Sequence, residues 1–227
     1  MKTNPARAAF TLVELLVVIA TLAVLGTLLV HGQLILDKAK VQRISCVSNL
    51  KQIGLSQRMW SNDNNDHFPM QVEAKKGGSL EAIKAGETFR HYQAVSNELT
   101  QVRVLICPSD IRKAAADFDS LRNTNLSYFV AIDADETKPQ MLLSGDRNVT
   151  NGVAPVNTLL ALGTKAPTGW TDAMHNEAGN IGLADGSVQQ MTTPILRRQL
   201  EAAEQAKSVD KDGNQRIQLP EFGSGSE

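Results

Sequence analysis

The sequence predicts an α+β chain, with one long N-terminal helix followed by short strands. Three observations carry the prediction. An apolar run from Phe10 to Val30 passes into a stretch where Val41, Ile44, Val47, Leu50 and Ile53 recur every third residue. Short β-rich runs bounded by turn-formers come later, beginning with Val102–Ile106. The pair Asp185-Gly186, flanked by β-formers, is the strongest short-range hairpin signal.

The run Phe10–Val30 spans about 30 Å as a helix, one hydrocarbon thickness. Polar residues then fill the gaps of the apolar spacing, with Leu55 and Met59 continuing it, so the helix reads as amphipathic to about Trp60, its stripe turned to the globular part. Ser61–Asp66 is a loop, because six turn-formers in a row do not hold a helix. Leu80–Ala85 and Glu87–Leu99 read as short helices. Val102–Ile106, Ser127–Ile132 and Met141–Gly145 read as strands, and Asn180–Met191 as the hairpin, with both central residues at positive φ. Thr193–Lys207 is a helix with Leu196, Leu200 and Ala203 on one face.

One residue in the apolar run is out of place. Glu14 puts a carboxylate where a membrane helix pays roughly 2.5–3.5 kcal/mol for it at its centre, which by default marks a functional position. A secretory signal peptide and a plain membrane anchor are the two simpler readings. The first has an apolar core of about 7–15 residues, shorter than this run, and the second has no use for the glutamate. The formal net charge of −1 gives no reason to expect a nucleic-acid partner.

The stretch Phe10-Thr-Leu-Val-Glu14-Leu-Leu16, preceded by the basic leader Met1–Ala9, resembles the class III signal of type IV pilins and type II secretion pseudopilins. The resemblance implies that a prepilin peptidase cuts between Ala9 and Phe10 and methylates the new amino terminus. Ala9 stands where the family usually has Gly. It also implies that Glu14 serves assembly, its carboxylate pairing with the terminal amine of a neighbouring subunit. Removing one partner from such a desolvated pair costs about 3–5 kcal/mol. Further on, Cys46-Val-Ser-Asn-Leu-Lys-Gln-Ile-Gly-Leu55, Phe68-Pro69, Leu105-Ile106-Cys107-Pro108-Ser109, His175, Gly179-Asn180 and Asp185-Gly186 are similar to a pseudopilin-like subgroup of planctomycete and verrucomicrobial bacteria.

The fold implied is pilin-like: a long helix, half membrane and half amphipathic, packed on a small antiparallel sheet. The implied organisation is a leader over 1–9, an assembly helix over 10–30, a stem helix over 31–60, a globular domain over 61–192, a C-terminal helix and acidic loop over 193–222, and a flexible tail over 223–227. The implied partners are the peptidase, other pilin or pseudopilin subunits, an inner-membrane assembly platform and membrane lipid. The implied location is the bacterial inner membrane, single-pass, with the domain in the periplasm, and then a periplasmic pseudopilus or surface filament. In that oxidising compartment Cys46 and Cys107 form either a disulfide or two buried thiols. A bond would close a loop of about 60 residues, worth about 4 kcal/mol by chain entropy.

The segment Asp210–Phe222 resembles an EF-hand calcium loop. Its ligand positions fall on Asp210, Asp212, Asn214, Arg216 (by its carbonyl), Gln218 and Glu221, with Ile217 at the apolar eighth position. Gln215 stands at the sixth, where such loops carry Gly, so calcium is expected to bind weakly. Asp133, Asp135 and Glu136 make a second acidic cluster, read as a solvated loop or a further cation site. There is no phosphate loop, CxxC, HExxH or nucleophile elbow, and His31, His67, His91 and His175 are scattered without a metal-ligand spacing. The expectation is a non-enzymatic structural subunit. A membrane-tethered, calcium-dependent binding module that does not polymerise is the alternative.

Overall fold

A computed structural model describes residues 11–220, with the backbone alone for 27–39. The chain divides into two compact units, Met1–Val41 and Gln42–Glu227. Helix α1 (Leu12–Asp63) begins in the first and ends in the second. Among the described residues no helix is long and apolar enough to cross a membrane. The predicted span over 10–30 includes Phe10 and the side chains of 27–30, which lie outside the described residues, as does the leader.

The second unit is α+β. After α1 come three short helices, α2 (Glu81–Ala85), α3 (Phe89–Ala94) and α4 (Ser96–Leu99). The strands are β1 (Tyr128–Ala131), β2 (Leu142–Asp146), β3 (Val149–Thr150), β4 (Leu159–Gly163), β5 (Gly169–Trp170), β6 (Ala178–Leu183) and β7 (Val188–Thr192). Helix α5 (Thr193–Gln205) and strand β8 (Asn214–Gln218) follow. Six strands form one antiparallel sheet in the order β4-β8-β1-β2-β6-β7, and β3 pairs with β5 apart from it.

Helix α1 buries Cys46, Leu50, Ile53, Gln57 and Trp60, which share one face at helical spacing. That face lies on the sheet. Asn49 Nδ2 donates to Tyr128 Oη, and a Cβ on Gly54 would reach to 3.8 Å from the Cα of Gly186. The predicted stripe is right at Leu50 and Ile53, half right at Val47, which is partly buried, and wrong at Ile44, Leu55 and Met59. Ile44, Leu55 and Met59 are exposed, because the disulfide-bearing face centred on Cys46 is the one turned inward; Val41, in the first unit, is exposed as well. In the second unit Ile44, Leu55 and Met59 instead fall within one ~60° sector of the outer side.

Three other expectations are corrected. Val102–Leu105 is a 3-10 turn, not a strand. Its amides bond locally, Val104 N to Gln101 O and Ile106 N to Arg103 O, while Val102, Val104 and Leu105 still enter the core. The hairpin β6–β7 forms as predicted, but only Gly186 has positive φ (84°). Gly186 N donates to Leu183 O and Leu183 N to Ser187 O, a three-residue loop that ends in a left-handed glycine. The C-terminal acidic segment is not appended to the domain: from Asn214 it is β8, hydrogen-bonded on both sides within the main sheet. Helix α5 buries Leu196, Leu200 and Ala203, the predicted face.

Candidate functional site

The first turn of α1 holds Glu14 in a local device. Thr11 N and Thr11 Oγ1 both donate to Glu14 Oε2, at 3.0 and 2.8 Å, and Glu14 N lies 3.3 Å from Thr11 Oγ1. This is a reciprocal capping box, Thr11 at the cap and Glu14 three residues on. The T-x-x-E spacing signals it in the sequence. Ala9 and Phe10, the cleavage pair, lie outside the described residues.

Among the described residues, five of the six calcium ligands expected at the C-terminus are present, and they are not gathered around one point. Asp210, Asp212 and Asn214 share a turn, in which Asp210 Oδ1 accepts from Asp212 N (2.9 Å) and Asn214 N (2.8 Å). The left-handed residue of the turn is Gly213 (φ 82°), two positions before Gln215, which is extended in β8. From Asn214 to Gln218 the strand carries the chain away by about 13 Å. The Arg216 carbonyl accepts from Ile132 N, and its guanidinium pairs with Asp133. Gln218 is buried, with His91 Nε2 2.7 Å from its Oε1 and its Nε2 donating to Ala82 O. Glu221 lies outside the described residues. The second acidic cluster is likewise committed: Asp133 to Arg216, Glu136 to Arg58 and Ser61, Asp135 to Thr137.

A buried polar centre lies between α1 and the sheet; the disulfide alternative for Cys46 and Cys107 is the one that forms, while sequence reasoning missed the His175 and Asp146 beside it. Cys46 on α1 and Cys107 are joined by a disulfide with Cα atoms 5.1 Å apart. His175 Nε2 is 3.3 Å from Cys107 Sγ and 3.4 Å from Asp146 Oδ2. Asp146, on β2 opposite Tyr128, is fully buried and accepts from Asn180 N (2.7 Å) and Nδ2 (2.8 Å). Its other oxygen, Oδ1, is buried with no hydrogen-bond partner. Arg43 Nη2 donates to His175 O at 2.6 Å. Burial pushes the Asp146 carboxyl up to about 7 and holds His175 down to about 4, with Arg43 adding to the latter. Both groups are therefore driven toward neutrality, and their contact is not an ion pair at neutral pH.

The backbone here is strained. His175, Asn176 and Glu177 are three successive left-handed residues (φ 55°, 54° and 57°), each costing about 1 kcal/mol or more. Strain of this kind persists where the surroundings over-determine it. The residues quoted for the family resemblance converge on this point: Cys46, Cys107, His175 and Asn180 come from four separate stretches. His175, scattered in the sequence, thus has partners in Cys107 and Asp146. Among the described residues, Cys46, Cys107 and His175 are the histidine, cysteine and carboxylate group able to hold a metal, with ligand atoms within 4.8 Å of one another. Joined as a disulfide, the two sulfurs are not ligands.

A cavity of about 1010 Å³ lies elsewhere, among Gly86, Phe89, Arg122, Thr150, Pro155 and Pro220. Among the described residues its wall has no buried titratable side chain. Comparisons with protein-family models, with curated proteins and with solved structures found no match.

Proposed function

We propose that the chain is a filament subunit of the type IV pilus or type II secretion pseudopilus kind. It is cut by a prepilin peptidase between Ala9 and Phe10 and assembles through the helix that follows. The observation that carries this reading is the surface of the first turns of α1. Leu12, Val13, Leu15, Leu16, Val17 and Val18 are all exposed, as are Ile19, Leu22, Val24 and Leu25. A helix that is apolar all round belongs in lipid or inside a helical bundle. Glu14 is the one charged residue among Leu12–Gly26. In a filament a neighbour's terminal amine offsets its desolvation. Exposed Ile44, Leu55 and Met59 offer a further apolar stripe for neighbouring subunits.

On this reading the chain starts in the inner membrane with its domain in the periplasm, and the assembly platform extracts it into the fibre. The tethered calcium module has less support, because Arg216 and Gln218 are engaged elsewhere.

The test is the intact mass of protein purified from its native membrane. A chain beginning at Phe10 and carrying one extra methyl group is expected; a chain that retains Met1 overturns the proposal. Two substitutions separate assembly from capping. Glu14→Gln keeps a residue that completes the capping box and removes the charge, whereas Glu14→Ala removes both. Filament assembly is expected to fail in both variants while membrane insertion persists. Normal assembly of Glu14→Gln would reduce Glu14 to a helix cap.

A further inference from the structure

We propose that the reduced chain binds one zinc-like divalent ion through Cys46, Cys107 and His175, with Asp146 as the fourth ligand. The inference does not depend on the filament reading.

The geometry begins with the ligand atoms. The two sulfurs and a ring nitrogen of His175 lie within 4.8 Å of one another. A tetrahedral zinc site with Zn–S bonds of about 2.3 Å has ligand edges of about 3.8 Å, so the set needs only a small rearrangement once the sulfurs part. Two thiolates and an imidazole are the soft donors that zinc takes, and a carboxylate is an accepted fourth. Asp146 is the carboxylate beside His175; it is not one of the three groups whose ligand atoms all lie within 4.8 Å, so it must close on the ion as the sulfurs part. It is fully buried, its Oδ2 is 3.4 Å from His175 Nε2, and its Oδ1 has no hydrogen-bond partner.

The surroundings are those of a built site. Asn180 fixes the Asp146 carboxylate by two donors, and Arg43 fixes the loop through the His175 carbonyl. Outer-shell bonds of this kind orient metal ligands. A disulfide by itself needs neither the histidine nor the left-handed run that delivers it. Both are accounted for if the same three side chains also serve as ligands when the cysteines are thiols.

The two states interconvert by thiol exchange. A dithiol reductant gives two electrons to the Cys46–Cys107 bond and leaves as its own cyclic disulfide, and its two protons end on the freed sulfurs. Metal binding then releases those two protons, together with any proton held by Asp146, to solvent, leaving two thiolates and a carboxylate on the ion. Oxidation by a disulfide reverses the sequence and expels the metal.

The test uses the full chain, reduced with dithiothreitol, desalted without oxygen and titrated with cobalt(II), then zinc. The reduced wild type is expected to take up one equivalent of cobalt with the thiolate charge-transfer and tetrahedral visible bands, and zinc to displace it. The oxidised protein is expected to show neither band. Reduced His175→Ala should bind about 10-fold or more weakly, and Asp146→Asn should weaken binding and alter the visible bands. Circular dichroism follows the fold throughout. If reduction unfolds the chain, one equivalent of zinc must restore the folded spectrum. Failure of the reduced wild type to bind, or equal binding by His175→Ala, overturns the proposal.

Discussion

Asp146 and the two buried histidines make stability depend on pH in opposite senses. Asp146 has its folded pKa raised to about 7, so the folded chain holds that proton more tightly than the unfolded one. Its contribution is present below the ordinary value near 4 and is lost as pH rises towards 7. His91 and His175 are held down to about 4 by burial, so their contributions appear above the ordinary value near 6.5 and are lost as pH falls to 4. The terms oppose each other between about pH 4 and 7. Asp146→Asn removes the falling one, so its stability is expected to climb more steeply with pH than that of the wild type. Urea unfolding at several pH values in that range checks this, and parallel curves for the two proteins would remove Asp146 from the account. None of these environments was legible in the sequence. A histidine between two turns reads as exposed until Cys107, Asp146 and the reversal at His175–Glu177 surround it.

At the scale of elements, the readable ones carried a period or a turn residue that no competing structure could use. Helix α5 shows its face through Leu196, Leu200 and Ala203, and the β6–β7 hairpin shows itself through Gly186, the residue that takes the left-handed position. Strand β8 carried two signals at once. Asp210, Asp212 and Asn214 have calcium-loop spacing, while Gln215, Ile217 and Leu219 alternate with less buried or hydrogen-bonding neighbours. The ladder prevailed because Ile217 and Leu219 enter the core and Gln215 Oε1 accepts from Leu142 N at 2.7 Å. Val102–Leu105 misled in the other direction, since its apolar residues serve a 3-10 turn as well as a strand. The fate of β8 has a direct check. Millimolar calcium, enough for weak extracellular loops, is expected to leave the melting temperature unchanged. A rise with calcium concentration would mean that Asp210, Asp212 and Asn214 form a site with ligands other than Arg216 and Gln218.

At the scale of the whole molecule, the Cys46–Cys107 bond ties α1 to the chain before β1 across 61 residues. Chain entropy assigns such a loop about 4 kcal/mol, a large share of the roughly 5–15 kcal/mol typical of a domain. Reduction without metal is therefore expected to lower the urea midpoint sharply, read by circular dichroism with and without dithiothreitol. An unchanged midpoint would mean that the reduced unfolded chain is already restricted in that region. The fold class was legible because the long helix and the hairpin are local. The order of the sheet was not, because it is set by pairings between residues far apart in sequence.

The last strand among the described residues, β8, enters the sheet between β4 and β1, where Val130 meets Gln218 and Leu160 meets Ile217. A chain that emerges from its N-terminus first therefore presents two unpaired strand edges until its C-terminal segment is free. Contacts of such high order close late and slowly. Until then the edges of β1 and β4 invite pairing with another chain. The sheet is therefore completed only when β8 is inserted, and a chain stalled before that step carries both open edges at once.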